Sequence, residues 1–229
     1  MRIGLVSDVH ANLPALRTAL DLLTQQGCER FYCAGDIVGY NPWPNEVIAE
    51  LRKRGVRCIN GNHDRAALAG GDEWMNAHAA AAIEWTANEI SPESRAWLKT
   101  LPTTLREKLP GGRTLLVCHG APDDPDRYVL PGEVDEGLLE MAEANIVVYG
   151  HTHLPVVRKF TSGIVVNPGG VGQPRDGDPR SSAAILDVDE KGNLDAKVLR
   201  FEYDVEQVAK TILSKKLPEI LARRLYAGW

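Results

Sequence analysis

The feature that most constrains the fold of this chain is an alternation of short apolar runs with helical patterns near its start. Three mainly apolar runs of strand length span residues 3–6, 31–34 and 56–59. Between them lie two stretches with apolar residues at helical spacing, closed by Gly27 and Gly55. A strand, a helix and a strand within about 30 residues have the size of one βαβ unit. The sequence therefore predicts an α/β fold that begins with parallel strands.

Side chains that bind transition metals follow these runs and two later ones, at residues 114–118 and 146–149. The residues concerned are Asp8, His10, Asp36, Asn62, His119, His151 and His153. Sites in open α/β sheets form beyond the carboxyl ends of the strands. Oxygen and nitrogen ligands without thiolates suit Mn, Fe, Zn, Co or Ni better than a calcium or iron–sulfur site. Seven ligands are too many for one metal with an open position, and they suit two metals that share a carboxylate and a water.

The rest of the chain predicts one domain over residues 1–229, with a helical insertion at about 73–100 that contains the remote histidine His78. From residue 156 onward the pattern changes to strands joined by short turns. Residues 183–188 and 194–201 predict a hairpin. Two helices, around 204–214 and 218–226, close the chain.

Composition excludes several classes of protein. The chain has 26 Lys and Arg against 31 Asp and Glu, a net charge of -5, whereas proteins that bind long nucleic acids carry a basic surface. No apolar run approaches the ~20 residues of a membrane span, and no signal-like segment opens the sequence. We expect a cytoplasmic protein that is not bound to a membrane. We also expect all its cysteines, Cys28, Cys33, Cys58 and Cys118, to be reduced core residues.

The order of the polar motifs resembles that of a known family. The motifs are Asp8-Val9-His10, Gly35-Asp36, Gly61-Asn62-His63-Asp64, His119-Gly120 and Gly150-His151-Thr152-His153. Over residues 3–170 they are similar to those of the calcineurin-like metallophosphoesterases. The compact length and the loop from Asn167 to Arg175 look most like the small bacterial and archaeal phosphodiesterases of that superfamily. The resemblance implies a four-layer αββα sandwich, in which two mixed β-sheets are flanked by helices.

The resemblance also implies a division of labour among the site residues. One metal would be held by Asp8, His10, Asp36 and His153. The other would be held by Asp36, Asn62, His119 and His151, so that Asp36 bridges the two. His63 would remain unliganded and would protonate or stabilise the leaving oxygen, and Asp64 would orient His63, as carboxylates commonly fix a neighbouring imidazole.

The activity implied by the resemblance is hydrolysis of small phosphodiesters, with cyclic nucleotides among the candidate substrates. A metal-bridging hydroxide would attack phosphorus directly. We expect two divalent transition metals, with manganese as the first candidate and Fe, Zn, Co or Ni as alternatives. Two alternatives are a non-catalytic interaction module of the same fold and a nuclease or nucleotide phosphatase that uses the same site. Protein phosphatases of the superfamily carry Gly-Asn-His-Glu, whereas this chain has Asp64 at the fourth position.

Substrate contacts are the part of the site that the motifs define least. Tyr40, with its neighbours Asn41 and Trp43, could form an aromatic wall for a base or could pack a proline-rich loop. Arg127 and Arg175 are candidate phosphate contacts because a guanidinium matches phosphate oxygens in pairs. Gly170 stands where related loops often have Ser. Without that hydroxyl, the sequence does not define which groups surround the metals at this point.

Overall fold

The computed structural model describes residues 1–71 and 75–229, and within them two five-stranded sheets form the centre of the protein. The strands of the first sheet are β1 (Arg2–Val6), β2 (Arg30–Cys33), β3 (Arg57–Cys58), β9 (Ser181–Val188) and β10 (Leu194–Phe201). Their order is β10-β9-β1-β2-β3. The pairs β1–β2 and β2–β3 are parallel, whereas β9 pairs antiparallel with both β1 and β10. The predicted βαβ start and the predicted hairpin are both present.

The second sheet is also mixed. Its strands are β4 (Thr104–Lys108), β5 (Thr114–Cys118), β6 (Ile146–Val148), β7 (Val156–Lys159) and β8 (Ile164–Asn167). Their order is β4-β5-β6-β8-β7, with β5, β6 and β8 parallel to one another. The ends of β5 and β6 therefore lie side by side, as do those of β1 and β2 in the first sheet.

Helices cover the outer faces of the sheets. They are α1 (Leu13–Gln25), α2 (Pro44–Lys53), α3 (Asn62–Ala69), α4 (Ala77–Glu89), α5 (Pro92–Leu98), α6 (Gly137–Ala142), α7 (Val205–Ser214) and α8 (Glu219–Ala227). Short 3-10 turns lie at Pro110–Gly112 and Pro131–Glu133. Capping residues fix where helices begin: the side chain of Asn12 accepts the amide of Ala15, and that of Ser91 accepts the amide of Ser94.

Alternation along the strands divides the core into layers. Ile3 and Leu5 of β1 pack with Leu115 and Val117 of β5 between the two sheets. The next residue of β1, Val6, faces the other way and packs against helices α1 and α2. Helix α6 covers the outer face of the second sheet in the same manner. These layers are helix, sheet, sheet and helix, so the predicted αββα sandwich is confirmed.

Two elements lie outside the sequence-based expectations. Helix α3 begins directly at Asn62, and the turn-forming residues there do not predict the start of a helix. The edge strand β4 has no continuous apolar face that would predict a strand. The predicted helical insertion corresponds to α4 and α5; its first two residues, 73 and 74, lie outside the described residues. All four cysteines are buried and free, as expected. None of the helices in residues 1–71 and 75–229 is long and apolar enough to cross a membrane.

Candidate metal centre

The seven predicted ligands converge at one edge of the sandwich. Loops after β1 and β2 carry Asp8, His10 and Asp36, and the first turn of α3 carries Asn62. From the second sheet, the loop after β5 carries His119 and the loop after β6 carries His151 and His153. The carboxyl ends of parallel strands in both sheets therefore meet here. The imidazole and carboxylate members of the set are all buried.

One group of possible ligand atoms comes from Asp8, His10, Asp36 and His153, whose atoms all lie within 4.8 Å of one another. His10 Nε2 is 3.5 Å from Asp36 Oδ2, and His153 Nε2 is 3.5 Å from Asp8 Oδ1. The loops of two different sheets thus supply a compact set of two carboxylates and two imidazoles.

A second group consists of Asp36, His119 and His151, again within 4.8 Å. His119 Nε2 is 3.4 Å from Asp36 Oδ1 and 3.0 Å from the side-chain oxygen of Asn62. Asp36 belongs to both groups, with Oδ2 towards His10 and Oδ1 towards His119. Each group has the composition of a metal site, and Asp36 contributes to both.

Backbone carbonyls fix the orientation of the imidazoles. His10, His119 and His153 place Nδ1 at 3.2, 2.8 and 2.5 Å from the carbonyl oxygens of residues 38, 34 and 173. A carbonyl oxygen only accepts hydrogen bonds, so each Nδ1 donates and each neutral ring keeps a lone pair on Nε2. His151 is reversed, because its Nε2 lies 3.1 Å from the carbonyl oxygen of Asp126.

The ring nitrogens that do not contact a carbonyl converge on one another and on carboxylate and amide oxygens. His10 Nε2 and His153 Nε2 face each other at 3.1 Å, although both rings already donate from Nδ1. His119 Nε2 faces the side-chain oxygens of Asn62 and Asp36, to which it donates when the ring is protonated and beside which it can bind a metal when the ring is neutral. Converging acceptors repel one another unless a proton or a metal ion lies between them, and nitrogen and oxygen donors of this kind suit a divalent transition metal. The residues therefore fit a metal centre.

Burial and mutual charge shift the pKa values of these groups in different directions. Burial lowers the pKa of His10 and His153 well below the usual value, which keeps their rings neutral and able to bind a metal. Burial raises the pKa of Asp8 to about 7. Burial would also lower the pKa of His119, but the carboxylate of Asp36 outweighs it and raises the value to about 9.

Five of the predicted ligand residues have backbone conformations that L-amino acids rarely adopt. Positive φ angles between 44° and 66° occur at Asp8, His10, Asp36, His151 and His153. Only nine non-glycine residues in the described part of the chain have a positive φ. Such conformations cost about 1–3 kcal/mol each and persist where the surrounding structure enforces them, commonly at functional sites. Backbone strain therefore concentrates at the edge of the sandwich where the seven predicted ligands converge, which we call the metal-ligand edge.

His63 lies beside the two ligand groups. Its ring centroid is 4.7 Å from that of His10 and 4.5 Å from that of Tyr40, and its backbone amide donates to Asp36 Oδ1 at 2.9 Å. The side chain lines a cavity of about 290 Å³ together with Asn62 and His151. A group in this cavity would be in reach of both His63 and two of the candidate ligands.

The described contacts of Asp64 differ from the predicted one. Its carboxylate accepts hydrogen bonds from the backbone amides of Ile37 at 2.9 Å, Val38 at 3.0 Å and Gly61 at 2.9 Å. Burial and the charge of Asp36 raise its pKa to about 7. Asp64 thus connects the loop of Asp36 with the start of α3, and its role in orienting the imidazole of His63 stays a prediction.

The residues predicted to contact substrate are dispersed. Tyr40 lines the cavity, and Arg175 donates to the Tyr40 hydroxyl at 3.3 Å. Arg127 instead pairs with Asp123 at 2.7 Å in an exposed loop, and neither arginine is among the described residues that line the cavity. Of Tyr40's two neighbours, Asn41 donates to the carbonyl of His10 at 2.8 Å and Trp43 packs against the core. These two residues support the loop, which favours the packing alternative for them.

Two glycines have no room for a side chain. A Cβ at Gly61 would lie 2.1 Å from Asp36 Oδ1. A Cβ at Gly170 would lie 2.7 Å from the carbonyl oxygen of Gln173, the acceptor of the His153 imidazole. Gly170 therefore fits the close packing of this loop, and in this backbone a serine there would require Gln173 to move.

Two residues near the site had no motif to reveal them. Tyr128, 53% exposed, stacks on His151 with ring centroids 3.9 Å apart and lines the cavity. Arg224, in the last helix, lies 5.9 Å from the centre of the Tyr40 ring. An isolated Tyr in a polar loop and an Arg on an amphipathic helix carry no spacing signal, so only the tertiary structure places them here.

Comparison with known proteins agrees with the geometry. An uncharacterized protein of Methanocaldococcus jannaschii, MJ0912, is 32% identical, covering 99% of this chain and 98% of its own. Phosphodiesterase YfcE of Escherichia coli K12 is 28% identical over 82% of this chain and 89% of its own. The crystal structure of a metallophosphoesterase from Sphaerobacter thermophilus superposes with a TM-score of 0.84, at 30% identity over all of both chains. The sequence profile of the calcineurin-like phosphoesterase superfamily domain matches residues 1–191, and this chain therefore belongs to that superfamily of phosphate-ester hydrolases.

Proposed function

We propose that this protein is a phosphodiesterase that uses two divalent transition metals to hydrolyse small phosphodiesters, with manganese as the first metal to test and cyclic nucleotides among the candidate substrates. The observation that carries the proposal is the pair of ligand groups that share Asp36. The name of a relative, phosphodiesterase YfcE, supports the choice of diesters.

The proposed ligands of one metal are Asp8, His10, Asp36 and His153, and those of the other are Asp36, Asn62, His119 and His151. Two cations held in this way would acidify a water molecule and neutralise charge on the phosphoryl oxygens. The carbonyls that accept from Nδ1 of His10, His119 and His153 direct Nε2 of each ring, in its neutral form, towards the proposed metals. These contacts support the proposed ligand sets.

His63 is the proposed proton donor to the leaving oxygen. It lines the cavity beside Asn62 and His151, so a group that leaves into this cavity departs within its reach. Asp64 acts as a positioning residue through the amides of the Asp36 loop and Gly61. Arg175, through its contact with Tyr40, is the proposed substrate contact among the predicted arginines. Arg127 is not retained in that role because its partner is Asp123.

Reconstitution of metal-free protein tests the proposal. We expect Mn to restore turnover of bis-p-nitrophenyl phosphate, and we expect the diester to have a higher kcat/KM than p-nitrophenyl phosphate. The control is His78→Gln, which changes an exposed histidine of α4 and should retain full activity. An absence of turnover of both esters with Mn, Fe, Zn, Co and Ni would disprove the enzymatic proposal. Preference for the monoester would overturn the choice of diesters.

A further inference from the structure

Two arginines from distant parts of the chain lie beside the same tyrosine. The guanidinium carbons of Arg175 and Arg224 are each 5.9 Å from the centre of the Tyr40 ring. Arg175 follows the glycine-rich loop, whereas Arg224 belongs to α8, beyond the part of the chain that matches the family profile. A backbone hydrogen bond of 2.8 Å from Gly177 to Gly228 holds the two segments together. The fold therefore brings both guanidinium groups to the same tyrosine ring.

Neither guanidinium is neutralised by an acidic side chain within the described residues. Arg175 donates from Nη2 to Tyr40 Oη and Gln173 Oε1, both at 3.3 Å, and its buried Nε has no acceptor. Arg224 donates from Nε to the main-chain oxygen of Trp229 at 2.7 Å. The nearby carboxylates are already used, because Asp176 binds Arg200 and Asp178 binds Arg180.

Two like charges in a half-buried position repel each other unless an anion lies near them. Burial and the charge of Arg175 lower the pKa of Arg224, which is the direction expected for an uncompensated pair. Guanidinium groups have a planar set of donors that matches the oxygens of a phosphate. A phosphate is therefore the group whose charge and geometry suit this pair.

The pair is separated from the metal ligands by one layer of side chains. The Tyr40 ring lies 4.5 Å from the rings of both His10 and His63. Gln173, whose side chain accepts from Arg175, uses its backbone carbonyl to bind His153. An anion at the arginines would lie beside the metal centre without replacing any of its ligands.

We propose that Arg175 and Arg224 form a subsite for a second phosphate group of the substrate, next to the phosphodiester that is hydrolysed. The inference rests on the proposed function, since it assigns the neighbouring metal centre to the reacting ester. It restricts the preferred substrates to phosphodiesters that carry a further phosphate.

Calorimetric titration of the metal-loaded protein tests the subsite without requiring turnover. The probes are adenosine 5′-monophosphate and adenosine 3′,5′-bisphosphate. We expect the wild type to bind the bisphosphate about tenfold more tightly or better, because charge-assisted hydrogen bonds to phosphate are among the strong ones. Arg224→Gln should remove most of this preference and leave monophosphate affinity within about twofold, and Arg175→Gln should also remove most of the preference. The matched control is Arg223→Gln, which changes the neighbouring exposed arginine, paired with Glu219.

Three outcomes would overturn the subsite. They are equal wild-type affinity for both nucleotides, an equal loss of both affinities in the Gln variants, and a gain in monophosphate affinity on addition of inorganic phosphate. The second would place the arginines on the metal-bound phosphate, and the third would identify a site for the free ion. Failure of the proposed function is distinguishable, because absence of diester turnover would leave the bisphosphate preference and its loss in the Gln variants measurable.

Discussion

The metal-ligand edge and the Arg175–Arg224 pair both contact Tyr40, but their charges are opposite in kind. At the metal-ligand edge, carboxylates and imidazole lone pairs converge within 4.8 Å, and they attract cations. At the arginine pair, two guanidinium groups share a ring without an acidic partner among the described residues, and they attract an anion. A metal-bound phosphodiester with a second phosphate would satisfy both regions at once.

The two regions also differ in how rigidly they are held. Each imidazole of the metal-ligand edge is fixed by a backbone carbonyl, and Asp36 is supported by the amide of His63. The arginines are long side chains held by a tyrosine hydroxyl, by a main-chain oxygen of Trp229 and by the packing of α8. Substitutions at the metal-ligand edge should therefore affect catalysis far more than substitutions at the arginine pair.

Asp36→Asn should have the largest effect, because Asp36 is the residue that both ligand groups share. An amide has only one acceptor oxygen and no charge, so we expect a loss of bound metal. We expect kcat to fall by about 10⁴-fold or more, since several kcal/mol of charge stabilisation would be lost. Metal content by mass spectrometry and turnover of bis-p-nitrophenyl phosphate measure this. Asp123→Asn, in an exposed ion pair, is the control, and full metal content in Asp36→Asn would contradict a shared ligand.

His63→Gln should have the next largest effect and should separate proton transfer from metal binding. The backbone amide of residue 63 can still donate to Asp36, so both metals should remain bound. We expect kcat to fall by about 10²- to 10⁴-fold, the usual contribution of a general acid. The same two measurements apply, with His78→Gln as the control. Equal loss of metal and activity would show that His63 is a ligand.

Asp64→Asn should weaken the connection between the two loops that carry Asp36 and Asn62. The asparagine would keep one acceptor oxygen, and its NH2 group would replace the other oxygen and face at least one backbone amide that is itself a donor. An unsatisfied buried donor costs about 1–3 kcal/mol, which corresponds to a Tm lower by roughly 2–12 °C in a chain of this size. Thermal unfolding measures the change. An unchanged Tm together with a large loss of kcat would instead support the original expectation that Asp64 acts on His63.

Most of the fold could be predicted because its strands and helices carry local signals. Buried parallel strands are short apolar runs, and glycines or capping residues mark the ends of the helices between them. The edge strand β4 was not predicted from the sequence, because it alternates exposed and half-buried residues and depends on its pairing with β5. Helix α3 was not predicted because Asn62, His63 and Asp64 have weak helix preference. The capping interactions of Asp64 are visible only in the structure.

The metal-ligand edge could be predicted because parallel strands bring their carboxyl ends together, so motifs far apart in sequence share one place. The contacts around it could not be predicted in the same way. Arg127 and Arg175 were equal candidates for a phosphate contact because both are arginines in polar loops. Only Arg175 lies beside Tyr40, whereas Arg127 pairs with Asp123. Arg224 comes from a helix in which Arg223 is the neighbouring residue, and the packing of α8 alone decides which of the two faces Tyr40.

Gly170→Ala should have the smallest effect, and it tests how far the rigidity of the metal-ligand edge depends on its surroundings. The added Cβ would lie 2.7 Å from the carbonyl oxygen of Gln173, which must then move. That oxygen holds Nδ1 of His153, so we expect weaker metal binding by about tenfold, at the low end of the effect of changing a ligand's hydrogen-bond partner. Metal titration of the metal-free protein measures it, with Gly132→Ala as a control, since no atom lies near a Cβ at Gly132. Because Gln173 also accepts from Arg175, a simultaneous loss of the bisphosphate preference would show that one residue couples the two regions, and unchanged metal affinity would show that the loop tolerates the displacement.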